Sequence, residues 1–203
     1  MSTSNYLFWE IEKHLMNDEV PSEFLEQLIC AKSEYDYPFN LLIKLKQTNQ
    51  SPKHHPEGNV WNHTLLVVNE AAKTKDKSSD RRAFMWAALL HDIGKPEATK
   101  LRKGKITAYD HDKIGAKLTE LFLTALTDDI KFIEAVVVLV RWHMQILFVV
   151  NRLPFADIKA MKQQVDLKEI ALLGLCDRLG RLHANRAEEE KNIKVFLKKC
   201  EGK

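Results

Sequence analysis

The sequence predicts an all-α protein. Three observations predict it. Apolar residues recur at i, i+3 and i+4 along most of the chain. Only seven glycines and six prolines punctuate 203 residues. The Asn-Gly and Asp-Gly pairs that mark tight hairpins are absent. The length is enough for one sizeable core and marginal for two. With 45% hydrophobic and 29% charged residues, the composition is that of an ordinary globular chain.

The elements follow in order. Leu7, Phe8, Ile11 and Leu15 form one stripe. Phe24, Leu25, Leu28 and Ile29 form another, with Ser22 as its expected N-cap behind Pro21. Leu41, Leu42 and Leu45 follow Pro38, which suits a first helical turn. Residues 47–58, with two prolines and a glycine, read as a loop. Asn59 is placed to cap a helix running to about Lys73. Residues 75–80 are charged and break the pattern, and a mostly apolar helix over 81–90 follows, ended by Gly94 and Pro96. Residues 102–108 read as a basic turn around Gly104. Further helices are expected over 113–126, 130–148, 158–161 and 167–182, with a charged helix at the C-terminus. The 130–148 segment has strand-like β-branched content, but its length favours a helix.

The charge and cysteine content exclude some function classes. A net charge of +3 does not by itself make a nucleic-acid binder, and it permits anionic substrates. Cys30, Cys176 and Cys200 are far apart and odd in number, with no CxxC spacing, so neither a disulfide framework nor a zinc finger is expected. Cys176 reads as core. The N-terminal run lacks the pattern of a signal peptide, and the strongly apolar run 135–140 is too short to span a bilayer. A cytoplasmic protein with no membrane partner is therefore the expectation.

The residues that carry chemistry are scattered: His63, the pair His91-Asp92, His111, His143 and Asp177. Alone, each has a plain structural reading. His63 lies on a buried helical stripe with Val60 and Val67. Asp177 can pair with Arg181 one turn later. His111 can be a loop residue and His143 a helix-end residue. The His91-Asp92 pair resists such a reading, because it follows a buried helix and an unpaired buried carboxylate costs several kcal/mol. Imidazole and carboxylate together suit a divalent metal. Consecutive residues diverge by ~100° on a helix, so both reach one ion only near a helix end, which Gly94 and Pro96 supply. Lys95 then lies beside the metal, where it can hold a phosphate oxygen.

His63, His91-Asp92 within HDIGKP, and Asp177 resemble the HD superfamily of metal-dependent phosphohydrolases. The runs His54–Ala72, Leu89–Pro96, His111–Gly115 and Asp177–Arg181 are similar to the HD domain of bacterial tRNA nucleotidyltransferases. The resemblance covers about residues 47 to 185. It implies an HD-like helical bundle over 52–203, behind a helical N-terminal extension over 1–51. It also implies His63, His91, Asp92 and Asp177 as metal ligands, with His111 and His143 holding a second metal or the substrate phosphate. The chain has no Gly-Gly or Gly-Ser turn, as a nucleotidyltransferase head requires, so only the hydrolase module is expected to carry over.

In the expected chemistry, metal-bound water attacks a phosphate ester or nucleotide. Asp92 orients that water or takes its proton, and Lys95, Arg178 and Arg181 neutralise the phosphoryl group. Manganese, iron, cobalt, nickel and zinc suit such a site better than magnesium. Two other readings are a dinucleotide or signal-nucleotide hydrolase with two metals, and a non-catalytic regulatory or RNA-binding module. The second of these rests on the basic stretches at 100–105 and at Lys198 and Lys199. The oligomeric state is not legible in the sequence.

Overall fold

A computed structural model describes residues 3–31 and 34–202 of the chain. Helices α1 (Thr3–Asn17) and α2 (Ser22–Cys30) bury the predicted stripes, with Phe8, Ile11, Leu15 and Leu25 fully enclosed. Ser22 is not a cap. Pro21, with helical dihedrals, takes the cap position, and Ser22 instead bonds Asn69 through both its backbone N–H and its hydroxyl. Short α3 (Asn40–Lys46) adds Leu41, Leu42 and Leu45. These helices share one hydrophobic core with the rest of the chain. Phe8 stacks on Trp86 at 4.9 Å, and Glu26 accepts the Trp61 indole N–H at 2.7 Å.

Helix α4 (Val60–Ala72) starts as predicted, with the Asn59 side chain accepting from Asn62 N at 2.8 Å. A 3₁₀ turn follows, and Asp80 then caps α5 (Arg81–Leu90) through Ala83 N. Every residue of α5 from Ala83 to Leu90 is buried, because α1, α4, α8 (Ile130–Trp142) and α11 (Leu167–Leu179) surround it. This central helix ends at His91-Asp92, so the pair emerges inside the protein.

The next turn runs into short α6 (Lys95–Ala98) and is jammed against the start of α7 (His111–Thr124). A Cβ at Gly94 would lie 2.2 Å from His111 O and 2.5 Å from Gly115 N. Glycine is what lets the two backbones meet there. Gly180 serves the same purpose at the end of α11, where a Cβ would stand 2.9 Å from Val67 N. That approach holds α11 against α4, near His63.

Two elements differ from the sequence reading. Residues 99–108 form an antiparallel hairpin, β1 (Thr99–Arg102) with β2 (Lys105–Ala108), and not only a basic turn. Its tip is Lys103-Gly104, both at positive φ (49° and 72°), as a tight hairpin turn requires. Lysine takes that conformation at a cost, which is why the pair carries no sequence signal. The expected helix over 130–148 is split into α8 and α9 (Gln145–Val150) at His143-Met144. There the His143 ring donates from Nδ1 to Val140 O at 2.7 Å, taking a carbonyl at the end of α8.

Averaged over a window, Ile130–Val150 is long and apolar enough to cross a membrane by length and composition, though the uninterrupted apolar run is short. Half of that window is buried against the protein's other helices, which is what a core helix looks like. Helix α10 (Ile158–Gln164) leads to α11, and α12 (Arg186–Glu201) covers α9 and α11 with Phe196 and Cys200 fully buried.

Candidate metal centre

Three helix ends and two helix faces deliver the predicted residues to one place. His63 faces inward from α4 and Asp177 from α11, while His91-Asp92 closes α5, His111 opens α7 and His143 closes α8. His63 Nε2 lies 3.0 Å from Asp177 Oδ1 and 3.9 Å from Asp92 Oδ2. His91 Nε2 lies 3.2 Å from Asp92 Oδ2. The other Asp92 oxygen, Oδ1, lies 3.3 Å from His111 Nε2 and 3.8 Å from His143 Nε2. Asp92 is thus a hub, with one oxygen toward His63 and His91 and the other toward His111 and His143.

The ring tautomers follow from the outer contacts. His91 Nδ1 donates to Ala88 O at 2.9 Å, His111 Nδ1 to Ala108 O at 2.7 Å, and His143 Nδ1 to Val140 O. His63 Nδ1 faces Glu57 Oε1 at 2.9 Å. His91, His111 and His143 therefore carry a proton on Nδ1 and turn Nε2 into the cluster, while His63 sits between two carboxylates, Glu57 at Nδ1 and Asp177 at Nε2. His111 Nε2 and His143 Nε2 face one another at 3.3 Å, where two lone pairs repel unless a cation or proton lies between them. His91 Nε2 is buried with no hydrogen-bond partner among the described residues, and buried Asp92 Oδ2 has the Lys95 ammonium 2.7 Å away. An unpaired buried acceptor nitrogen of this kind is costly, and a divalent ion satisfies it. Two groups, His63-His91-Asp92 and Asp92-His111-His143, each bring their ligand atoms within 4.8 Å of one another. The residues present fit a divalent metal.

The charge states also suit a ligand set. Burial is the largest influence on Asp92 and Asp177 and pushes both pKa values up. Lys95 and His91 at Asp92, and His63 and Arg181 at Asp177, outweigh it and hold both carboxyls well below their usual range. Burial, with His111 and His91 nearby, pushes His143 down to about 4, so its ring is neutral near pH 7. Burial likewise takes His55 to about 4 against the pull of Glu57. At His63 burial opposes the imidazolium, yet Asp177 and Glu57 together raise its pKa.

A pH dependence follows. His55 and His143 take up protons near pH 6.5 when unfolded but only near 4 when folded. The unfolded state binds more protons across that window, so stability falls as pH drops through it. His63, with its raised pKa, works the other way, one group against two. The thermal midpoint of chelator-treated protein, followed by circular dichroism, is expected to fall steadily from pH 7 to pH 5. A flat midpoint would contradict the assigned neutral rings.

The centre opens into a cleft of about 1150 Å³ lined by Asp92, Lys95, His111, His143, Asp177 and Arg181, among others. His63 and His91 lie beneath it, at 0% and 1% exposure. Lys95 Nζ sits 2.7 Å from Asp92 Oδ2 and donates to Gln50 Oε1 at 2.5 Å. Arg181 stands 3.8 Å from Asp177, and its buried Nε has no partner. Arg178 departs from the sequence reading. It pairs with Glu189 of α12 and does not line the cleft. It follows Asp177 directly, so it points about 100° away around the helix, whereas Arg181 at i+4 shares the Asp177 face.

Sequence reasoning missed Glu57, which is 8% exposed and also faces His55 Nδ1 at 2.8 Å. It also missed the ion pair between Arg141 and Asp112, which ties the end of α8 to the start of α7. The only signal for Glu57 was the dense His-His-Pro-Glu-Gly stretch just before α4. Cys176 is core, as expected, and burial holds its thiol up to about 12.

The family model described as HD domain matches residues 60–181. Curated relatives carry the name "Multifunctional CCA protein". The one from Actinobacillus pleuropneumoniae serotype 5b is 44% identical over 46% of this chain and 22% of its own length. That from Halorhodospira halophila is 34% identical over 47% of this chain and 21% of its own length. That from Methylococcus capsulatus is 26% identical over 96% of this chain and 40% of its own length. The chain thus spans between about a fifth and two fifths of these relatives.

Proposed function

The chain belongs to the HD domain family of metal-dependent phosphohydrolases, and on that premise we propose that it hydrolyses a phosphate ester of the nucleotide or phosphodiester class. The observation that carries this reading is the buried meeting of four Nε2 atoms around the two oxygens of Asp92. A binding protein has no need to bury such a set.

In this reading His63, His91, Asp92 and Asp177 hold the divalent cation, of the manganese, iron, cobalt, nickel or zinc type. When bound, the cation supplies a hydroxide at neutral pH and neutralises phosphoryl charge. Lys95 and Arg181 contact the non-bridging phosphate oxygens at the cleft floor. Asp92 orients the attacking water through whichever oxygen lone pair coordination leaves free. His111 and His143 would hold a second cation, or one of them would protonate the leaving group after first taking up a proton at Nε2. The division of the Asp92 oxygens between two histidine pairs favours the second-cation version.

The test is recovery of activity. Chelator-treated protein is expected to lose hydrolysis of a generic aryl phosphoester and regain it with manganese, cobalt or nickel. No hydrolysis with any of these would overturn the reading.

Glu57 supports His63 from behind the site, because its carboxylate lies 2.9 Å from His63 Nδ1. Glu57→Gln is expected to weaken metal affinity by roughly 10- to 100-fold, measured by titration against a chelating dye. Helix content is expected to stay unchanged. Unaltered affinity would remove Glu57 from the account.

A further inference from the structure

The cleft does not end at its polar groups. Its lining also includes Phe148 of α9 and the α9–α10 connection, where Pro154, Phe155 and Ala156 stand exposed in succession. Phe155 is 58% exposed, and Tyr109, entering the same cleft from the end of the hairpin, is 55% exposed. Scattered exposed apolar residues need no explanation, but these line the same cavity as the charged cluster.

Phe155 is not on a slack loop. Gln145, 2% exposed, donates from Nε2 to Phe155 O at 3.4 Å and accepts from Asp157 N at 2.9 Å. Leu153 N donates to Phe148 O at 2.8 Å. The backbone is clamped on both sides while the Phe155 ring stays in water, 5.5 Å from the Phe148 ring. This is a preformed aromatic surface, and a small polyol phosphate would have no use for it.

We propose that this arm of the cleft is the leaving-group subsite, that it takes a flat ring of the nucleobase class, and that Phe155 is the specificity-determining residue. The proposal rests on the phosphohydrolase reading for the place of the phosphate. It adds what the ester must carry on the other side. Rings stack on Phe155 and Phe148 whatever their edge pattern, so the arm selects for a base without choosing strongly among bases.

The test uses adenosine, which carries the ring, has no phosphate and is not turned over. Its binding to the metal-loaded full chain is followed by saturation-transfer NMR, with ribose as the ringless control. The base protons of adenosine are expected to be saturated and ribose to show nothing. Phe155→Ala is expected to weaken adenosine binding about tenfold, and Phe155→Tyr to retain it. The ring is outside the core, so the thermal midpoint of both variants is expected to match the wild type. In turnover, kcat/KM for adenosine monophosphate over ribose 5-phosphate is expected to fall about tenfold in Phe155→Ala, with the ribose 5-phosphate value unchanged. Adenosine bound no better than ribose, or bound equally well by Phe155→Ala, overturns the proposal. Hydrolysis without ring preference would sink this inference alone. Adenosine held by Phe155 with no hydrolysis of any ester would sink the hydrolase reading and leave the subsite standing.

Discussion

Asp92→Asn is expected to cost more than about a thousandfold in hydrolysis and to empty the metal site of purified protein. The reason is the position of Asp92 as hub: His63, His91, His111 and His143 all turn Nε2 toward one of its two oxygens. The amide keeps the shape but removes the charge. A cation then meets the imidazoles with only Asp177 to balance its charge, beside Lys95, whose ammonium lies 2.7 Å from the Asp92 carboxylate. Without the ion the attacking water would lose the acidification that a bound divalent cation supplies, which no remaining hydrogen bond replaces. Elemental analysis and steady-state kinetics on the same preparation check this. An Asp92→Asn protein with full metal content, or with undiminished turnover, would show that Asp92 is not the hub.

Gly94→Ala is expected to destabilise the fold by about 3 kcal/mol or more, through backbone that cannot yield. The new methyl would meet His111 O at 2.2 Å and Gly115 N at 2.5 Å. For a chain of this size, 3 kcal/mol lowers the thermal midpoint by roughly 6–12 °C. The turn and α7 must part to admit the methyl, so His111 withdraws from Asp92 and metal affinity drops with stability. Gly115→Ala is the control. Its Cβ would first meet the Val140 side chain at 3.3 Å, which can shift, so a smaller loss is expected. Equal midpoints for the wild type and Gly94→Ala by calorimetry would contradict the close approach.

The parts of this arrangement legible in the sequence were those written in local periodicity. His63 announced itself by sharing a stripe with Val60 and Val67, all of which are buried. The His91-Asp92 pair announced itself by closing a helix whose residues from Ala83 onward are all apolar. What could not be read were features set by distant contacts or by backbone conformations with no residue signature. The Lys103-Gly104 hairpin uses a lysine where asparagine is the usual signal. The break at His143-Met144 has no glycine or proline to mark it, because a ring-to-carbonyl bond takes part in ending the helix. Glu57 reaches His63 only because the loop folds back at Gly58, whose φ of 101° glycine alone tolerates freely. Arg178 was legible and misread. Its place one residue after Asp177 already turned it off the shared face, onto Glu189.

In the proposed site one buried carboxylate gathers the histidines around a divalent ion. Anomalous diffraction from crystals of manganese- or cobalt-loaded protein tests it most directly. The expected result is an ion about 2.0–2.2 Å from His63 Nε2, His91 Nε2 and oxygens of Asp92 and Asp177. An ion bound instead by His55, Glu57 and His63, a group that could also hold one, would contradict it, as would the absence of any ion near Asp92.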